Sequence, residues 1–355
     1  MTTEAQRVFR DLRAGQPRAL SRAISWVENE TRQAPELLEQ IYAQAPHPWV
    51  IGITGVGGAG KSSLVPHIAR RLADGGSRVA VLAVDPSSTL TGGALLGDRI
   101  RDNAGQQHPH VYFRSIATRG GQGGLATCVA DLVRVTAAAG HDIVLIETVG
   151  AGQSELGILN VAHCVVLVNA PGLGDDVQAQ KAGVMEIADL LVVNKADRPG
   201  ADDVMASLQQ ALLLSESNAH MREGVNDLPG GAAHWHPPVL KTQALAGTGV
   251  QALCEQLHAH RALLERQGRY EELNRLHDLR RMQSYFREMV QQRLQQRIES
   301  MALLQRLEED LARGGGDPLG AARQLADAVL PPEPATKATL PLNTQKETTP
   351  CSRHP

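Results

Sequence analysis

Aromatic residues are scarce in this chain: Phe, Trp and Tyr make up 3% of 355 residues, against 42% for the hydrophobic set as a whole. The core must therefore be packed mainly with aliphatic side chains. Cysteine is scarce as well. Cys128, Cys164, Cys254 and Cys351 lie far apart and form no CxxC pair, which reads as free thiols in a reducing compartment. Neither sign of charge dominates: 35 Lys and Arg face 38 Asp and Glu, a net charge of −3. No global field draws such a protein to nucleic acid or to a membrane surface. No apolar run is long enough to span a bilayer, and the opening MTTEAQRVFRDLRAG lacks the apolar segment of a secretion signal. The expectation is a cytoplasmic protein with no nucleic-acid and no membrane partner. Its length allows one large domain with appendages, or two domains.

Against these absences stands GITGVGGAGKSSLVPHI, residues 52–68. Trp49–Thr54 is a short apolar run with β-branched residues and reads as a buried strand. It feeds into Gly55-Val56-Gly57-Gly58-Ala59-Gly60-Lys61-Ser62, which fits G-x-x-x-x-G-K-[ST]. Glycines let backbone N–H groups curl around phosphate oxygens without a Cβ in the way. The helix that follows aims its positive end at the same anion. Lys61 can reach the β- and γ-phosphates and Ser62 can offer its hydroxyl to Mg²⁺. Gly55, Gly57, Gly58, Ala59, Gly60, Lys61, Ser62 and Ser63 are thus the candidate phosphate-binding residues. Pro66, early in that helix, removes an N–H and predicts a local irregularity.

The rhythm of strand, loop and helix continues. Arg78–Val84, Asp142–Ile146, His163–Val168 and Leu190–Val193 are compact aliphatic runs, separated by helical stretches such as Leu125–Ala139 and Gln178–Ala188. Near-continuous apolar strands alternating with helices predict an α/β fold: a mostly parallel sheet with helices on both faces. Ligands on such sheets sit at the carboxyl ends of the strands. Asp85, Glu147, Asn169 and Asn194 each follow a strand run immediately.

Residues 1–48 read as a helical extension, with Leu20, Ala23, Ile24 and Val27 on one face and Leu37, Leu38, Ile41 and Tyr42 on another. Residues 49–260 read as the nucleotide-binding domain. Residues 261–330 form a helical arm in which Met282, Phe286, Met289, Val290, Leu294, Ile298 and Met301 make a long apolar stripe that needs a partner surface. Ala321–Leu330 predicts one more helix, and the Pro- and Thr-rich residues 331–355 read as a disordered tail.

Asn194-Lys195-Ala196-Asp197 follows the Leu190–Val193 strand as NKxD. A carboxylate at the guanine edge accepts from both N1–H and the 2-amino group, whereas adenine leaves it unpaired, so the motif favours GTP and GDP over ATP. Metal bridging the phosphates calls for hard oxygen ligands. The candidates are Ser62 with some of Asp85, Asp98 and Glu147, and Gly150 is placed to offer its N–H to the γ-phosphate.

The segments DPSSTLTGGALLGDR, FRSIATRGGQGGLA, ETVGAGQSE, PGLGDDVQAQKAGVMEIAD, VVNKAD and WHPPVLKT resemble, in order, the MeaB/ArgK-type GTPases. That resemblance covers about residues 15–330 and implies a P-loop G domain of the signal-recognition-particle/MinD class, flanked by N-terminal helices and a C-terminal dimerisation arm. It implies a homodimer that acts as a GTP-dependent chaperone of an adenosylcobalamin-dependent acyl-CoA mutase. It also implies that Asp175 and Lys181 form a switch used in partner-stimulated hydrolysis, with Lys61 the P-loop lysine. Three positions depart from the family pattern: Gly57 where proline is usual, Gln243 in the guanine-side loop, and Asp102 after Arg101.

Rival readings are weaker. A nickel-inserting GTPase needs soft or imidazole ligands. The clusters available are His108 with His110, His234 with His236, and Cys254 with His258 and His260, the last set among leucines as core or surface residues are. A phosphotransferase of a transport system would need ATP, against which NKAD argues. A purely structural coiled coil would not carry an intact P-loop.

Overall fold

The computed structural model describes residues 2–85, 108–117, 128–148, 157–173, 187–217, 235–299, 301–315 and 317–330. Among them, seven strands form one parallel sheet: β1 (Trp49–Thr54), β2 (Val79–Asp85), β3 (Val111–Ala117), β4 (Ile143–Glu147), β5 (Cys164–Asn169), β6 (Leu190–Val193) and β7 (Val239–Lys241). Their order across the sheet is β3-β2-β4-β1-β5-β6-β7. The chain lays β2, β3 and β4 on one side of β1 and then β5, β6 and β7 on the other. The loop after β1 therefore opens where the winding reverses, which is where doubly wound sheets bind ligands.

Alternation within the strands divides the core. Val50, Val144 and Ile146 face one layer, where they pack with helices α1 (Glu4–Arg13), α2 (Pro17–Glu28), α3 (Ala34–Gln44) and α5 (Val129–Ala138). Trp49, Ile51, Ile53, Ile143 and Leu145 face the other, against α4 (Lys61–Asp74) and α7 (Val250–Arg266). A third cluster joins β6 to α6 (Ala201–Ser217) through Leu191, Val193, Leu208 and Leu212. Strands β1, β4, β5 and β6 are buried along their whole length, which is why they read as unbroken apolar runs.

Two strands were not legible beforehand. In β3 only Ile116 is buried, and Arg114 pairs with Glu28 of α2 at 2.5 Å. An edge position tolerates such mixed composition, so no aliphatic run marks it. β7 is three residues long and follows Pro237 and Pro238. α1 needed its own recognition: Ala5, Val8, Phe9 and Leu12 form its buried face, and Thr3 and Gln6 close a capping box at its start. α4 runs on through Pro66 as one helix. Of the two predicted helical stretches between strands, Leu125–Ala139 contains α5, and most of Gln178–Ala188 lies outside the described residues, as do residues 331–355.

After α7 the chain turns at Gly268, whose φ of +69° suits glycine. It then enters the long α8 (Arg269–Glu299), followed by α9 (Ala302–Ala312) and α10 (Pro318–Val329). The described residues up to Arg281 make one compact unit and those from Met282 onward a second. In the first, the buried Arg281 guanidinium grips Asp131 of α5 through Nε (3.0 Å) and Nη2 (2.7 Å), and Tyr42 donates to the same carboxylate at 2.8 Å. In the second, Met282, Phe286 and Met289 are each more than half exposed. No helix among the described residues is long and apolar enough to cross a membrane.

Candidate active site

Close neighbours leave no space for a Cβ at two points of the loop after β1. Gly55 has φ +136°, and a Cβ there would lie 2.0 Å from the carbonyl oxygen of Val168 in β5. At Gly60, φ is +90° and a Cβ would lie 2.4 Å from Asn194 Nδ2. The rim between them is different. Gly57 and Gly58 are exposed with open space where a side chain would start, which leaves room for phosphate oxygens. The departure from proline at Gly57 therefore costs no packing.

Lys61 opens α4 and is almost wholly buried, its ammonium donating to the carbonyls of Gly55 (2.5 Å) and Val56 (3.0 Å). The positive charge thus arches back over its own loop, within the curl that the glycines leave open. Ser62, next on the helix, donates its hydroxyl to Glu147 Oε1. Glu147 is the last residue of β4, beside Ile53 of β1, and is buried. The strand end is held by Thr148, whose N–H donates to Ile53 O at 3.0 Å and whose hydroxyl donates to Thr54 Oγ1 at 3.1 Å. A hydroxyl and a buried carboxylate side by side are hard oxygen donors suited to Mg²⁺. Ser63 is half-buried, its N–H directed to Gly60 O at 3.2 Å.

On the other side of β1, Asn194 closes the site. Its Nδ2 donates to Ala59 O at 2.9 Å, and its Oδ1 accepts from Thr242 Oγ1 and from the Ala244 N–H, both at 3.1 Å. One buried amide thereby binds the P-loop to the loop after β7. Lys195, at φ +55°, donates to Gly58 O at 2.6 Å. Asp197 is exposed, and the Ala196 N–H that precedes it is fixed to Thr242 O at 3.0 Å. Gln243 pairs through its backbone with Thr248, so the altered residue of that loop falls on main-chain pairing. Asn169, at the end of β5, accepts from the Asn194 N–H at 2.8 Å while its own buried Nδ2 has no partner among the described residues, a donor that a ligand or an ordered water could use.

The order β4-β1-β5-β6-β7 lines up Glu147, the P-loop, Asn169, Asn194 and Thr242 along one edge of the sheet. Thr242 and Ala244, on either side of Gln243 in the guanine-side loop, join the site through Asn194. Asp85 ends β2 at the same edge, although only its backbone is described. Asp98, Gly150, Asp175 and Lys181, expected in the metal and switch regions, and Asp102 lie outside the described residues.

The model of the family described as "Methylmalonyl Co-A mutase-associated GTPase MeaB" matches residues 20–301. The chain belongs to the MeaB family. Relatives include a putative GTPase of Pyrococcus abyssi, 45% identical over 264 residues, which cover 74% of this chain and 78% of that one. GTPase ArgK of Escherichia coli is 33% identical, with 75% and 78% covered. The mitochondrial methylmalonic aciduria type A homolog of Caenorhabditis briggsae is 34% identical, with 71% and 63% covered. Among solved structures, a LAO/AO transport system kinase superposes with a TM-score of 0.63 at 25% identity, covering 93% of this chain and 99% of that one. This MeaB-family protein is a P-loop GTPase.

Proposed function

We propose that this MeaB-family GTPase is a cytoplasmic chaperone of an adenosylcobalamin-dependent acyl-CoA mutase, gating cofactor loading and protecting or reactivating the mutase. The observation that carries the catalytic half is the row of site residues along one sheet edge: the P-loop with Lys61, the Ser62–Glu147 pair, and Asn194 tying the guanine-side loop to the phosphate side. The mutase half is supported by the family's description and by the name of the C. briggsae relative.

In this reading Gly55–Ser63 cradle the GTP phosphates, Lys61 neutralises charge on the β- and γ-oxygens, and Gly150 marks the γ-phosphate sensor. Asn194, Lys195 and Asp197 select guanine. Ser62 and Glu147, with Asp85 and Asp98, would hold Mg²⁺, which when bound withdraws charge from the phosphates. Lys181, oriented by Asp175, is brought to the phosphates when the mutase docks, and acts there as an arginine finger does. Residues 49–260 are the GTPase body, 1–48 its helical extension, and 261–330 an arm. The stripe of exposed Phe286 and Val290 and half-buried Leu294 and Ile298 fits a second copy of the arm, making a homodimer.

The test is single-turnover hydrolysis of GTP with and without a mutase, for wild type, Lys61→Ala and Lys181→Ala. Lys61→Ala should lose binding and basal turnover together. Lys181→Ala should keep both and lose the stimulation, which for inserted fingers is roughly 10³–10⁵-fold. No stimulation of wild type by a mutase would end the chaperone reading. The transport-kinase name of the structural neighbour suggests ATP as the alternative. Calorimetry with ATP and GTP decides between them, with ~10³-fold preference for GTP expected, relaxed in Asp197→Asn.

A further inference from the structure

The sheet carries a second group of chemically active side chains at the opposite ends of its strands. Cys164 is the first residue of β5, Asp189 directly precedes β6, and His260 reaches them from α7. A ligand atom from each lies within 4.8 Å of the others. By i, i+4 spacing Cys254 pairs with His258, and His260 stands near both in sequence. The structure instead sends His258 against the Trp49 ring (5.7 Å) and Cys254 into the aliphatic core.

The surroundings of this trio are built rather than incidental. Cys164 is fully buried and His260 is 3% exposed, while the Asp189 side chain keeps 27% exposure and so leaves an entry. Asp189 Oδ2 accepts the Val165 N–H at 2.8 Å, which turns Oδ1 toward the imidazole. Trp235 donates to the Asp189 carbonyl at 2.7 Å and covers the His260 ring at 4.9 Å. His260 Nε2 stands 3.5 Å from Asp189 Oδ1, and its buried Nδ1 has no partner among the described residues. A separation of 3.5 Å is long for a hydrogen bond. It is close to the edge of a tetrahedron whose ligands lie about 2.0–2.2 Å from a central ion. Nε2 is thus poorly satisfied by Asp189, and an uncompensated buried polar group is costly.

A divalent ion binding here displaces the Cys164 thiol proton. One thiolate, one imidazole and one carboxylate exclude Mg²⁺ and Ca²⁺ and suit Zn²⁺, with water as the fourth ligand.

We propose that Cys164, Asp189 and His260 form a binding site for a divalent transition metal ion, Zn²⁺ by ligand chemistry, that clips α7 to the amino ends of β5 and β6. The site is independent of the GTP site and of the mutase proposal.

Full-length protein freed of metal by chelation is titrated with Co²⁺ as an optical probe. Wild type should take up ~1 equivalent with a thiolate-to-cobalt band in the near ultraviolet and tetrahedral d–d bands, all erased by Zn²⁺. Cys164→Ser should lose the thiolate band, and His260→Gln and Asp189→Asn should bind at least ~10-fold more weakly. Cys254→Ser should behave as wild type. Zn²⁺ should raise Tm in wild type but not in His260→Gln, a variant checked for folding by circular dichroism and GDP binding. The proposal is overturned if wild type shows no stoichiometric thiolate band. It is equally overturned if the band survives Cys164→Ser or disappears in Cys254→Ser. Should Cys164→Ser not fold, the wild-type titration with His260→Gln and Asp189→Asn decides.

Discussion

Asn194→Ala tests whether the guanine-side motif is a mechanical part of the P-loop. The side chain satisfies three groups: Ala59 O at 2.9 Å, the Ala244 N–H and the Thr242 hydroxyl, each at 3.1 Å. Removing it strands a carbonyl and an N–H of the main chain, whereas the hydroxyl can rotate to another acceptor. Each buried group left unsatisfied costs about 1–3 kcal/mol, so the loss should be about 2–6 kcal/mol. That is a large fraction of a typical folding stability of about 5–15 kcal/mol. Asn194→Asp should be no better, because a carboxylate cannot donate to Ala59 O and would face it as a second acceptor. Urea denaturation followed by far-ultraviolet circular dichroism gives the stability, and a fluorescent GDP analogue gives the affinity. Both should fall together in Asn194→Ala. Asp197→Asn, at an exposed position, should alter base selection with stability unchanged. Stability within about 0.5 kcal/mol of wild type for Asn194→Ala, the range of ordinary surface changes, would refute the reasoning.

Gly55→Ala forces a side chain to 2.0 Å from Val168 O at φ +136°, and should cost about 1–3 kcal/mol with loss of GDP binding; Gly57→Ala, at an open position, should change neither. Asp131→Ala takes the carboxylate from the buried Arg281 and should destabilise by about 3–5 kcal/mol in the same urea titration. His277 is pushed down to about 3, first by burial and then by the charges of His163, Arg280 and His47. The unfolded chain takes up this proton near pH 6.5 and the folded one does not. The stability from His277 is therefore complete above pH 6.5 and is lost as the pH falls towards 3. Between pH 7.5 and pH 5 the loss should be about 1–2 kcal/mol, allowing for the partly exposed edge of the ring. Urea midpoints for wild type and His277→Gln at the two pH values check this, and equal pH dependence would contradict it.

Strands β1 and β6 were legible to the residue, and β2, β4 and β5 to within one, because both faces of each are covered and the side chains short of the carboxyl-terminal residue are apolar. The edge strands β3 and β7 obey no such demand, and their composition hides them. The P-loop and NKxD were legible for a different reason: phosphate and guanine each accept few arrangements of backbone and carboxylate. Reading by motif, however, assigned Asn194 to the base alone. Its ties to Ala59, Thr242 and Ala244 span separations of tens of residues that no local pattern encodes.

By itself, then, the sequence determined what short-range chemistry demands: glycines where the backbone must curl, Lys61 and Ser62 at the helix start, apolar runs where strands are buried. Tertiary structure alone decided which strand lies beside which. Placing β4 and β5 on either side of β1 brings Glu147 to Ser62 across 85 residues of chain and sets Gly55 against Val168. At the far ends of the same strands it gathers Cys164, Asp189 and His260, from three separate elements, into one buried cluster. Such meetings depend on sheet order and helix packing, which are properties of the whole chain's burial and are not written at any one spacing.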